Sequence, residues 1–182
     1  MLFSLLILSL NAAPLDVVKA VANDRRTVTS GDALAAKLDS NLDVAELSRR
    51  ALGEQWSKLA KAQQQEFVAT LKSLLRATWM QKLLGDDKGS GTVFGKETIE
   101  GDEALVATTV DFGGEQIPVE YKLRKSGAAW KIYDVVTDGA SLVDLYQAEF
   151  KKQMSKGGYD GLLATLKSKV KQQEQTKTTA SR

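Results

Sequence analysis

The stretch IPVEYKLRKSGAAWKIYDVVTDGASLVDLYQAEF, residues 117–150, decides the fold, because its apolar period changes within one continuous segment. Ile117, Val119, Tyr121 and Leu123 alternate with Pro118, Glu120, Lys122 and Arg124. A period of two places the first set on one face of a strand and the second on the other, apolar inside and wet outside. Pro118 has no N–H for a ladder, which predicts a strand end or an edge there. Residues 126–128 (SGA) turn the chain. Trp130, Ile132, Asp134 and Val136 then alternate with Lys131, Tyr133, Val135 and Thr137, predicting an antiparallel partner strand. After Ser141, a candidate N-cap, the period lengthens: Leu142, Tyr146, Phe150 and Met154 recur at helical spacing.

Upstream of this stretch, Val106, Val110 and Phe112 fall on one face of an earlier strand. Gly113-Gly114 is a hairpin signal, and residues 92–100 predict a weaker opening strand. Phe67, Leu71, Leu74, Leu75, Trp79 and Leu83 trace the strongest helical face in the chain, which GDDKGSG at residues 85–91 ends. Residues 15–52 read as helical pieces. Asp32 is a cap for one that includes Leu34 and Leu38; Asp43 is a cap for the next, with Glu46 in the capping-box position and Gly53 at its end. Trp56 and Leu59 follow in a short helix or turn. Downstream, Gly157-Gly158 breaks the chain, and Leu162, Leu163, Leu166 and Val170 form a last amphipathic helix. Helices, about four antiparallel strands, then helices make an α+β order: a sheet with one wet face and helices on the other.

The 182 residues suit a single domain over 14–170 with a polar tail over 171–182. Composition is that of a globular chain, 43% hydrophobic and 26% charged, and the net charge of +2 is too small to argue for nucleic acid. The sequence has neither cysteine nor histidine. Disulfides, thiolate chemistry, His-based triads and the usual zinc sites are therefore excluded, and the commonest general base is missing. Residues 2–10 (LFSLLILSL) are too short to span a bilayer and suit the apolar core of a signal peptide over 1–13, although no Lys or Arg precedes them. The alternative is a buried N-terminal helix. No cysteine follows for a lipid anchor.

Four motifs together resemble the MlaC, or toluene-tolerance, family. They are ALGEQW at 51–56, AQQQEFVATLKSLLRATW at 62–79, the 117–150 stretch itself, and GGYDGLLATLK at 157–167. The 117–150 stretch is the longest match, similar to the family's IPVxYRLRxxxGxWKVYDVxxEGVSLVxNYRxxF. Departures include Trp79 for the family's Tyr, Asp138 for its Glu, Ala140 for its Val and Leu145-Tyr146-Gln147 for its Asn-Tyr-Arg; they bear on lipid preference and docking more than on fold. The resemblance implies a twisted sheet packed with helices in an NTF2-like cone with an apolar cavity. It implies a periplasmic, monomeric, non-enzymatic carrier without cofactor or metal. Its cargo would be phospholipid, shuttled between an outer-membrane lipoprotein complex and an inner-membrane ABC transporter with an MCE-domain protein. Some relatives are linked to hopanoids, and a non-catalytic envelope adaptor with a filled core is a further alternative.

A carrier of this kind must replace the burial lost when lipid leaves a bilayer, on the order of 20 kcal/mol for two chains of roughly fifteen methylenes each. Candidate walls are Val110, Val119, Tyr121, Leu123, Trp130 and Ile132 from the sheet, with Phe67, Leu71, Leu74, Leu75, Trp79, Leu142, Tyr146 and Phe150 from the helices. Spacing alone assigns every one of them equally well to a dry core. Tyr133 and Asp134, as strand neighbours, are expected on opposite faces and so do not make a shared active site. Asp134 is expected on the Trp130 and Ile132 face, bonded to backbone near the turn at 138–141. Trp56 and Trp130 read as packing anchors. The Lys- and Arg-rich residues 151–182, and Lys122, Arg124 and Lys125 on the wet face, are candidate docking groups with no nucleic-acid role.

Overall fold

The computed structural model describes residues 12–27, 31–84 and 91–180. The first eleven residues and most of the 85–91 loop lie outside that set, as do the side chains of Asp32, Leu34, Leu38, Trp79 and Leu83. Four helices come first: α1 (Pro14–Thr27), α2 (Gly31–Asn41), α3 (Val44–Leu52) and α4 (Lys61–Leu84), with a 3-10 turn over Gly53–Lys58. A meander follows: β1 (Thr92–Glu100), β2 (Glu103–Phe112), β3 (Glu115–Ser126), β4 (Ala129–Thr137) and β5 (Ala140–Ser141). Helix α5 (Leu142–Ala180) closes the chain and is broken at Gly158. All strand pairs are antiparallel, in the order β1-β2-β3-β4-β5. The α+β class stands, with five strands where about four are expected. The extra one is the two-residue β5, made where the turn after Thr137 folds back so that Val136 pairs with Ser141.

The local signals act much as their chemistry requires. Pro14 occupies the first position of α1, where its missing N–H costs nothing. Asp43 caps α3 by accepting from the Glu46 N–H at 3.0 Å. Only half of the expected capping box forms, however. The Asp43 N–H goes to the Ile132 carbonyl at 2.7 Å, and the Glu46 carboxylate turns to arginines instead. Ser141 caps α5, accepting from the Asp144 N–H at 3.2 Å. Pro118 lies within β3, but the β4 pairing starts only at Val119, so β3 is locally an edge beside the proline.

Two bulges shape the sheet. In β1 one extra residue lies between Phe94 and Glu97. Gly95 sits there because a Cβ would come within 3.2 Å of the Ala107 carbonyl oxygen. The second bulge overturns an expectation. Leu123 pairs with Ile132 and Lys122 with Asp134, leaving Tyr133 as the extra residue. Strict alternation along β4 is therefore lost. Asp134 and Val136 move to the Lys122 and Glu120 side, and Val135 takes the place opposite Tyr121. Phe112, expected on the apolar face, is exposed at the end of β2.

The interior falls into two clusters. One joins α1 to the sheet: Val17 and Val18 against Ala104, Val106, Leu123, Trp130 and Ile132. The other is mostly helical. Val44, Leu47, Ala51 and Leu52 of α3, Phe67, Leu71, Leu74 and Leu75 of α4, and Val143, Phe150, Leu162 and Leu166 of α5 pack with Tyr133. Phe67 meets Phe150 edge-on at 5.3 Å and Tyr146 stacks on Phe150 at 5.2 Å. Each fully buried Leu, Ile or Phe contributes about 1.5–3 kcal/mol, so these clusters dominate the favourable side of folding.

Candidate functional site

Strand β4 is the wall the two clusters share. Ile132 belongs to the α1 side and its neighbour Tyr133 to the helical side, as alternation along a strand requires. Leu42, just after α2, packs against both clusters and bridges to Ile132. Between them lies an apolar cavity of about 40 Å³. Leu42, Val44, Leu47, Leu75, Ile132, Val135 and Leu142 line it, with Asp39, Lys72 and Arg76 among the polar groups at its wall. That volume holds about one water or methylene, whereas pockets for small molecules run to roughly 300–1,000 Å³.

The expected wall residues divide accordingly. Phe67, Leu71, Leu74, Leu75 and Phe150 are buried in the helical cluster, with Leu142 and Tyr146 packed against it. Leu123, Trp130 and Ile132 lie in the α1 cluster with Tyr121 beside them. Leu75, Ile132 and Leu142 are brought together at the cavity itself. Val110 and Val119 are buried on the same sheet face but belong to neither cluster. The Trp79 side chain lies outside the described residues. Sequence reasoning missed Leu42, Val44, Leu47, Tyr133, Val17 and Val18. The three-residue step from Val44 to Leu47 and the four-residue step from Leu47 to Ala51 carried a helical signal; nothing local marked Leu42 or Tyr133.

A polar network backs the same wall. Glu46 is buried and receives Arg49 at 2.6 Å, Arg50 at 2.7 Å and Arg124 at 2.6 Å. The Arg49 hydrogen bond first, then Arg50 and the surrounding positive charge, hold its carboxyl down to about 2 against the cost of burial. Arg50 also lies 3.9 Å from the Tyr133 ring centroid and pairs with Glu103. Tyr133 donates to Glu103 at 3.1 Å, and burial pushes its phenol up to about 12. Burial likewise raises Tyr146 to about 12.

The bulge corrects the expectation that Tyr133 and Asp134 are kept apart: both line one polar pocket with Arg49, Arg50, Lys122 and Gln147. Their chemistry is nevertheless spent on structure. Asp134 accepts from Ser141 and from the Val143 N–H, two residues beyond the expected turn, and pairs with Lys122 at 3.1 Å. Tyr133 spends its hydroxyl hydrogen on the bond it donates to Glu103. Among the described residues no acidic cluster could hold a metal ion, and no helix is long and apolar enough to cross a membrane.

The family model described as MlaC protein matches residues 14–168. The chain belongs to the MlaC family. This MlaC chain is 28% identical over 131 residues to the toluene tolerance protein ttg2D of Pseudomonas putida, a match covering 71% of the chain and 61% of that relative. The chain thus spans less than two thirds of the relative's length. A solved structure of the phospholipid-binding protein from Ralstonia solanacearum, in complex with a phospholipid, superposes with a TM-score of 0.76. The identity is 24%, and the match covers 87% of the MlaC chain and 94% of the Ralstonia protein. That likeness establishes the fold: an open antiparallel sheet between N- and C-terminal helices.

Proposed function

We propose that this MlaC-family protein is an exported, non-catalytic, monomeric carrier of phospholipid. In this reading it receives acyl chains along the seam between its two apolar clusters. It passes them between an outer-membrane lipoprotein complex and an inner-membrane MCE-domain ABC transporter. The observation that carries the reading is the divided interior: β4 gives Ile132 to one cluster and Tyr133 to the other, and a cavity with a charged rim marks where they meet. Family membership and the phospholipid bound by the Ralstonia protein support it.

At about 40 Å³ the cavity is too small to hold an acyl chain as it stands. Acyl chains enter by parting the seam, and each methylene that fills it restores about 0.8 kcal/mol of burial. The same small volume favours a second reading, an envelope adaptor with a filled core. Mass spectrometry of an organic extract of the protein purified from its native cells separates them. Stoichiometric phospholipid is expected; a hopanoid would change the cargo, and an empty extract would leave the adaptor.

A further inference from the structure

The cavity rim has an unusual charge arrangement. Lys72 and Arg76 stand one turn apart on α4, where like charges repel each other. One carboxylate serves both: Asp39 of α2 takes Lys72 Nζ at 3.2 Å on Oδ2 and Arg76 Nε at 3.2 Å on Oδ1, and Arg76 Nη2 also reaches Oδ2. The Asp39 side chain is only 16% exposed, while those of Lys72 and Arg76 are 38% and 46% exposed. The other carboxylates of the cavity wall pair with different cations: Asp43 with Arg124 at 3.6 Å, an arginine it shares with Glu46, and Asp134 with Lys122 at 3.1 Å. Leu75, between the two cations in sequence, lines the cavity.

Two cations that share one anion at the lip of an apolar space form a receptor for a second anion of the same shape. A phosphate diester carries one negative charge and presents two non-bridging oxygens, the fork that a guanidinium and an ammonium recognise in a carboxylate. From this geometry, and resting on the carrier reading above, we infer that Lys72 and Arg76 are a phosphate-binding pair, for which Asp39 is the resident substitute. A phosphate that takes the pair displaces Asp39. It thereby releases α2 from α4, so that headgroup docking and opening of the seam are one event.

The test uses the delipidated full chain. It is mixed with phosphatidylcholine vesicles bearing a trace of chain-labelled phosphatidylcholine, or of the diacylglycerol with the same chains. The zwitterionic surface keeps bulk membrane charge out of the comparison. The wild type is expected to retain the phosphate-bearing lipid over the diacylglycerol by about fivefold, the scale of one partly exposed ion pair. In the double variant Lys72→Gln/Arg76→Gln that preference disappears while diacylglycerol is still taken up, which also shows that the variant folds. Asp39→Asn, which removes the competing anion, raises phospholipid uptake above wild type.

Equal uptake of both lipids by the wild type and the double variant overturns the phosphate pair and leaves the carrier standing. Uptake of neither lipid by the wild type overturns the carrier reading and the headgroup assignment with it. Binding of inorganic phosphate that the double variant loses, without any lipid preference in the wild type, assigns the pair to free phosphate and overturns its headgroup role. Should the double variant fail to fold, Asp39→Asn decides: unchanged phospholipid uptake in that variant overturns the inference.

Discussion

Ser141 donates its hydroxyl to the buried carboxylate of Asp134 at 2.7 Å, and that bond ties the bulged wall strand to the first turn of α5. The same serine oxygen accepts the Asp144 N–H, and the other Asp134 oxygen accepts the Val143 N–H at 3.0 Å. One carboxylate thus sets where α5 begins relative to β4. Replacing Asp134 by alanine leaves these donors without a partner in a buried place and should cost about 2–4 kcal/mol. Ser141→Ala should cost about 1 kcal/mol, the value of a lost cap. Urea unfolding measures both; a midpoint unmoved in Asp134→Ala would show that the tie carries no stability.

Glu46 makes the fold acid-sensitive in a defined window. Its carboxyl is held at about 2 in the folded protein against 4.5 in the unfolded chain. The folded value is the lower one, so the stabilisation is complete above about pH 4.5 and is lost as pH falls through about 2. The linkage is worth on the order of 3 kcal/mol. Glu46→Gln should be less stable at neutral pH and show a shallower decline in acid. Parallel stability curves for the two proteins between pH 4.5 and 2 would rule this out.

Two phenols act at the other end of the scale. Tyr133 and Tyr146 are each held at about 12 by burial, above an ordinary value of 10. A raised folded value means that their contribution is full below pH 10 and disappears as pH rises from 10 towards 12. Spectrophotometric titration of the folded protein should show Tyr133 and Tyr146 ionising well above the ordinary value of 10, coincident with alkaline unfolding. Tyr146→Phe should flatten the alkaline limb; a limb as steep as wild type would contradict the assignment.

Leu75 and Leu123 probe the seam. Leu75→Phe puts extra volume into a cavity wall and should lower phospholipid loading several-fold, with overpacking costing about 1–3 kcal/mol. Leu123 is fully buried beneath α1, away from the cavity lining, so Leu123→Phe should lower loading less. Lipid per protein in organic extracts measures this. Normal loading in both variants would place the chains elsewhere.

Gly158 separates the two halves of α5 with φ 60° and ψ −160°, a region essentially reserved for glycine. The break lets Tyr159 donate to the Gln63 carbonyl at 2.8 Å and Leu162 and Leu166 reach the helical cluster. Gly158→Ala should cost about 1–3 kcal/mol. A stability equal to wild type would show that the break tolerates a side chain.

Much of this protein was legible from its residue order. Alternation from Ile117 to Leu123 identified a strand with the right face inward. The four-residue steps from Phe67 to Leu75 and from Leu142 to Phe150 identified two core helices, and Asp43 and Ser141 were readable as caps. Periodicity is a property of a few consecutive residues, and each of these statements needed no more than that. The bulge at Tyr133 was not legible. WKIYDVV alternates acceptably without it, and the extra residue is forced only by pairing with β3 and by Arg50 and Glu103 waiting for the Tyr133 ring and hydroxyl. The split of the interior into two clusters, the roughly 40 Å³ between them, and the meeting of Asp39 with Lys72 and Arg76 belong to the tertiary structure alone. A void, like an ion pair between distant helices, is a small difference between where several backbones run and how far their side chains reach, and no single stretch of sequence contains both quantities.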